Sequence, residues 1–155
     1  MKKTIFFAML TIGHAAAADV DFSQLSDVAK LGFLEATYED ALGACDRVVG
    51  RPNIAPYPDD ALVVANRLFD LVLAPTMAAD PLPAGTDVNL EDMLRTDAAK
   101  SGVWRTLYGV ASVKYPTLSA EASQSEACNY LRAILHGSEA EVDSLSQIIV
   151  DTISQ

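Results

Sequence analysis

Two histidines and two cysteines, His14, His136, Cys45 and Cys128, are the whole supply of the side chains that most often ligate soft metals or attack substrates. His14 falls inside an N-terminal segment read below as a removable signal, which leaves His136 alone. One histidine cannot build the paired-imidazole sites that hold zinc, copper or haem iron, and no CxxCH run is present for covalent haem attachment. Nucleophilic catalysis fares no better. There is no GxSxG elbow and no SxxK motif, and any serine would have to use that one histidine. His136 sits with Asn129 and Arg132 on the polar side of a helical stretch, near its C-terminal end, where the helix dipole alone favours such side chains. A structural or surface role is expected for it. No glycine-rich phosphate loop occurs, and pairs of acidic residues are no sign of glycoside hydrolysis, because separation in sequence does not set the spacing that chemistry needs. The chain is therefore expected to be non-enzymatic, with no catalytic residue, resident metal or cofactor.

Three features remain as candidate contacts. Glu35, Glu39 and Asp46 project from one side of the first helical stretch, beside its apolar stripe. A solvated acidic face is the leading reading; the alternatives are a basic partner or a hard cation, although the close-spaced carboxylates of an EF-hand loop are absent. Trp104, Tyr108 and Tyr115 form an aromatic ridge with Ala111 on one side of the third helical region. Such a ridge fills a helix–helix seam or serves as a partner or ligand platform. Lys100 and Arg105 flank it, too few cations for a single-stranded nucleic acid. The third feature is the stretch from Pro75 to Asp87, a long proline-rich connection that reads first as a stiff surface link and, as the alternative, as a loop of the kind that carries binding contacts on rigid scaffolds.

The compartment is written at the N-terminus. Lys2 and Lys3 precede a short apolar run, Thr4 to Gly13, and His14 leads into four alanines. This is the order of a secretory signal peptide over residues 1–18, cleaved after Ala18 with Ala16 and Ala18 as the small specificity positions and Asp19 as the new N-terminus. The run is too short to cross a bilayer, and no cysteine stands at the cleavage site to carry a lipid. Loss of Lys2 and Lys3 takes the net charge from −10 to −12. Charge of that sign repels phosphate backbones and anionic headgroups, so neither nucleic acid nor membrane insertion is expected once the signal is gone, and it steers basic partners inward. A periplasmic or secreted destination is oxidising, so Cys45 and Cys128, outside any CxxC motif, are expected to form a structural disulfide.

The elements that must position these groups are helices separated by proline-rich connections. The first runs from about Ser23 to Val49. Leu31, Leu34, Tyr38, Leu42, Cys45 and Val49 make one apolar stripe, while Leu25, Val28, Gly32 and Ala36 mark another face, which implies a kink near Gly32. Gly50 and Pro52 end it. The second, opened by Asp59 and Asp60, is apolar from Ala61 to Ala74 apart from a narrow polar strip, reads as the central, most buried helix, is too short to span a membrane, and should stop at Pro75. Asn89 caps a third region reaching Lys114, interrupted near Ser101 and Gly102. Thr117 or Ser119 starts a fourth that ends near His136. Ser138 to Glu141 is a capping box opening a fifth with Val142, Leu145, Ile149 and Ile153 inward.

The expected fold is all-α, a single bundle-like domain of five or six helices over residues 19–155, clamped by Cys45–Cys128. Its core should hold Leu62, Ala65, Leu68, Phe69 and Val72, ringed by Leu34, Leu42, Leu131, Leu145 and Ile149. The expected function is an exported protein-binding module, such as an inhibitor, an immunity-type neutraliser or an accessory subunit. The alternative is a small-ligand or cation carrier with a pocket between helices near Trp104 and Tyr108.

Overall fold

A computed structural model describes residues 22–49, 54–79, 83, 85 and 89–154. The signal segment with its cleavage site, the helix-ending Gly50 and Pro52, and most of the connection from Pro81 to Asp87 lie outside the described residues. Six helices and no strand occur among the described residues, and Cys45 and Cys128 are joined. After a 3-10 turn at Phe22–Gln24 come α1 (Asp27–Val49), α2 (Ala61–Ala79), α3 (Leu90–Leu94), α4 (Asp97–Lys114), α5 (Ala120–His136) and α6 (Glu139–Ile153). α1 packs against α2, α4 and α5, while α6 closes the bundle over α4, α5 and the end of α2.

Helix starts follow side-chain caps, because the first N–H groups of a helix have no internal partner. Ser26 Oγ accepts from the Ala29 N–H at 3.2 Å, and Asn89 Oδ1 from Asp92 at 3.1 Å. Ser119, and not Thr117, caps α5 by accepting from the Ala122 N–H at 3.1 Å. Ser138 and Glu141 form the reciprocal box at the head of α6. The third helical region is indeed two helices. The break falls at Arg95–Thr96, upstream of Ser101 and Gly102, because Thr96 Oγ1 caps Ala99 at 3.2 Å and restarts the chain as α4.

α1 differs from the expected element in two ways. It is unbroken at Gly32, since the second apolar face is not buried: Val28 is 81% exposed and Gly32 is exposed. Its buried face is Phe33, Leu34, Thr37, Ala41, Ala44 and Cys45, while Leu31, Tyr38 and Leu42 are only half-buried. The helix is rotated toward its alanines. Small side chains let neighbouring backbones approach closely, and a stripe chosen by side-chain size overlooks them.

α2 passes through Pro75 and ends at Ala79. A proline donates no hydrogen bond and its ring crowds the carbonyl four residues back. Here a π turn over Phe69–Leu73 lies directly ahead, with the Ala74 N–H reaching back five residues to Phe69 O. The wider turn takes up the proline, and Thr76 Oγ1 donates to Val72 O at 2.7 Å. The extension gives 19 residues at mean hydropathy 1.4, long and apolar enough by length and composition to cross a membrane, contrary to the expectation from Ala61 to Ala74. Only 33% of its most apolar window is buried, so it is not the most enclosed helix either. Val64, Ala65, Leu68, Phe69, Leu71 and Val72 face the core, but Leu62 is half-buried and Val63 is exposed. The enclosed position belongs to α5, which buries Ser123, Ala127, Cys128, Tyr130, Leu131, Ala133, Ile134 and Leu135.

Leu34, Leu68, Leu107, Leu131, Ile134 and Ile149 form the fully buried centre. Leu145 is buried as expected, and Leu42 packs at the margin. The disulfide joins the buried faces of α1 and α5, with α-carbons 5.8 Å apart, inside the range such a bond allows. On the chain-entropy model a loop of this length stabilises the fold by about 4.5 kcal/mol.

Candidate functional site

The rotation of α1 leaves apolar and acidic side chains side by side on its outer surface. Because the helix turns its alanines inward, Tyr38 and Leu42 are left at the rim of the core, half open to solvent. Glu35, Glu39 and Asp46, all exposed, occupy the adjoining strip of the same helix. Residues 54–60 lie along this flank. Ile54 is fully buried and its carbonyl lies 2.8 Å from His136 Nε2, so the segment is tied to the end of α5. That gives His136 the structural part expected of it. Pro58 is buried, and between Pro56 and Pro58 the side chain of Tyr57 stands 38% exposed. Its ring meets that of Tyr38 edge to face, centroids 5.2 Å apart at 86°.

Glu35, Glu39 and Asp46 on α1, with Asp59 and Asp60 in the adjoining segment, put exposed negative charge on this flank. Burial raises the Tyr57 hydroxyl pKa above its ordinary value, and the Glu35 carboxylate raises it further. Four ion pairs occur among the described residues: Arg95 with Glu91 and with Asp92, Lys100 with Asp97, and Arg132 with Glu141. None involves Glu35, Glu39 or Asp46. These carboxylates do not converge as ligands, for no group of three or more His, Cys, Asp or Glu among the described residues is placed to hold a metal ion. Their spacing explains it: on one helix, side chains one and three turns apart run along a strip instead of closing around a point.

The aromatic ridge is split. Trp104 and Tyr108 are half-buried against the core, and Ala111 is fully buried. Tyr115 lies beyond the last turn of α4, 39% exposed, with Lys114 Nζ 5.7 Å from its ring centroid. Trp104 alone lines a cleft of about 390 Å³ with Ala44, Arg47, Val48, Ala120, Glu121 and Gln124. A second groove, about 400 Å³ and mostly apolar, runs between α5 and α6 beside Tyr130, Ser144 and Ile148. The Tyr130 hydroxyl and the Thr37 hydroxyl are buried without a hydrogen-bond partner among the described residues.

Of the six candidate contacts, the structure thus groups Glu35, Glu39 and Asp46 on one flank, keeps Trp104 and Tyr108 together against the core and sets Tyr115 apart from them. The sequence reading missed Tyr57. Its signal was a lone aromatic between two prolines, a side chain held out on stiff backbone, but nothing in sequence tied it to Tyr38. No protein-family model, curated protein or solved structure matches the chain.

Proposed function

We propose that the chain is an exported, non-enzymatic binding protein that docks a basic protein partner on the outer flank of α1. The observation that carries this reading is the pairing of half-open Tyr38, Leu42 and Tyr57 with three exposed carboxylates that make no ion pair among the described residues. Apolar contact area fringed by unpaired charge is the composition of a docking surface, with the aromatics as anchors and the charges as steering groups. The disulfide is consistent with an oxidising compartment, and the N-terminal signal pattern supports periplasmic delivery or secretion. Inhibition, neutralisation of an exported toxin and service as an accessory subunit are all compatible with such a surface.

The test uses hexa-arginine and hexa-lysine peptides as basic probes, followed by amide chemical shifts. At low salt the shifts should fall on residues 35–46 and 54–60 and fade as salt rises. Glu35→Lys, Glu39→Lys and Asp46→Lys together should abolish binding. Reversing Asp70, Asp143 and Asp151, an equal change in net charge at exposed positions on α2 and α6, should only weaken it. Equal losses in the two triple variants would reduce the effect to net charge and overturn the reading.

A carrier function has one observation in its favour, the Trp104 cleft. A ligand-dependent rise in melting temperature that Trp104→Ala removes would promote it.

A further inference from the structure

We infer that Tyr38, Tyr57 and Glu35 form a clamp for the guanidinium of an arginine side chain presented by the partner. The inference rests on the α1 flank being the docking surface and adds which side chain it selects. Two rings at 86° with centroids 5.2 Å apart form a corner, the edge of one against the face of the other. A cation within ~6 Å of a ring centroid is attracted by the electron-rich face. Tyr57 is 38% exposed, so part of this corner is in reach of an approaching cation. Glu35 stands three residues ahead of Tyr38, so the two side chains are neighbours on the helix surface, and the carboxylate is close enough to act on the Tyr57 hydroxyl.

Two other aromatic rings among the described residues have cations: Lys30 Nζ lies 5.3 Å from the Phe22 centroid, and Lys114 lies over Tyr115. The Tyr38–Tyr57 corner has none among the described residues. Its combination of ring face and carboxylate suits arginine above other cations. A guanidinium is planar, stacks on an aromatic face, offers a donor fork that matches a carboxylate, and is less strongly hydrated than an ammonium. Lysine offers only a point charge, and a quaternary ammonium has no hydrogen to give Glu35.

Calorimetric titration of hexa-arginine and hexa-lysine into the wild-type chain, Tyr57→Leu and Tyr57→Phe tests the clamp. The arginine peptide should bind the wild type about two- to five-fold more tightly, the range of an exposed cation–π contact. Tyr57→Leu should cost the arginine peptide more than the lysine peptide and so erase the preference, while Tyr57→Phe, which keeps the ring, should retain it. If Tyr57→Leu fails to fold, Glu35→Gln carries the test, since it keeps both rings and should shrink the preference. Equal wild-type affinities, with shifts still on α1, overturn the clamp and leave the docking surface standing. So does a Tyr57→Leu loss equal for both peptides. Tighter binding of tetramethylammonium than of guanidinium at the corner also overturns it. If neither peptide binds, the docking surface itself fails and the clamp with it.

Discussion

Replacing Tyr130 with phenylalanine should make the protein more stable. Tyr130 is 6% exposed and its hydroxyl has no hydrogen-bond partner among the described residues. A buried hydroxyl left unpaired costs about 1–3 kcal/mol. Phenylalanine keeps the ring and its packing and removes the unpaired group, leaving a gap smaller than a methyl that takes back part of the gain. A net stabilisation of about 1 kcal/mol is expected, which for a chain of this length is a rise of roughly 3–4 °C in melting temperature. The pH dependence supplies an independent check. Burial foremost, then the Glu126 carboxylate and Tyr115, push the Tyr130 pKa up to about 12 from an ordinary 10.0. Below pH 10 the phenol is protonated in both folded and unfolded chains, so its contribution is constant. Between pH 10 and 12 the unfolded chain ionises and the folded one does not, so stability falls with rising pH. The wild type should therefore lose about 1–2 kcal/mol more than Tyr130→Phe across that window. Denaturant melts at pH 7, 10 and 11.5, read by circular dichroism, measure both effects. A variant less stable than wild type at pH 7 would mean that the hydroxyl is satisfied, and two parallel pH curves that it is not shielded from water; either result refutes the reasoning.

Cys45→Ala with Cys128→Ala, or reduction of the wild type, should cost about 2–4 kcal/mol and lower the melting temperature markedly, as scanning calorimetry would show. Leu68→Ala, at a fully buried position in α2, should cost ~2–5 kcal/mol in urea unfolding; a loss near zero would mean that α2 is a docking face. Gly137→Ala should destabilise by about 1–3 kcal/mol although its φ of −77° suits any residue, because an added Cβ would press into the Ala133 carbonyl. Serine at the same site should be no better.

Much of the fold was legible because capping is local chemistry. Asn89, Ser119 and the Ser138–Glu141 box each satisfy an N–H three residues away, so short stretches of sequence contain the whole interaction. The disulfide was legible from compartment and scarcity. Long-range choices were not. Whether α1 turns Tyr38 and Leu42 inward, or Ala41 and Ala44, depends on how closely α2, α4 and α5 approach, which no single helix records. The passage through Pro75 depends on a π turn whose residues, Phe69 to Leu73, look like any apolar helix. Thr96 was overlooked because Ser101 and Gly102 are stronger helix-breaking types, yet a threonine followed by Asp97 is a sound start signal. The acidic half of the candidate surface was visible as i, i+4 spacing on one helix. Its aromatic half needed Tyr57 brought in from a separate segment held by His136 and Ile54.

Force entering at one end of the chain and leaving at the other would run from α1 to α5 directly through Cys45 and Cys128. The intervening α2, α3 and α4 then hang from the bond as a slack loop that bears no tension. At ~3.4 Å per residue, the 83-residue separation conceals about 280 Å of contour length from any pull on the oxidised protein. Stretching would peel the 3-10 turn, the first part of α1, the end of α5 and α6. The long apolar α2 sits in the part of the chain that tension cannot reach.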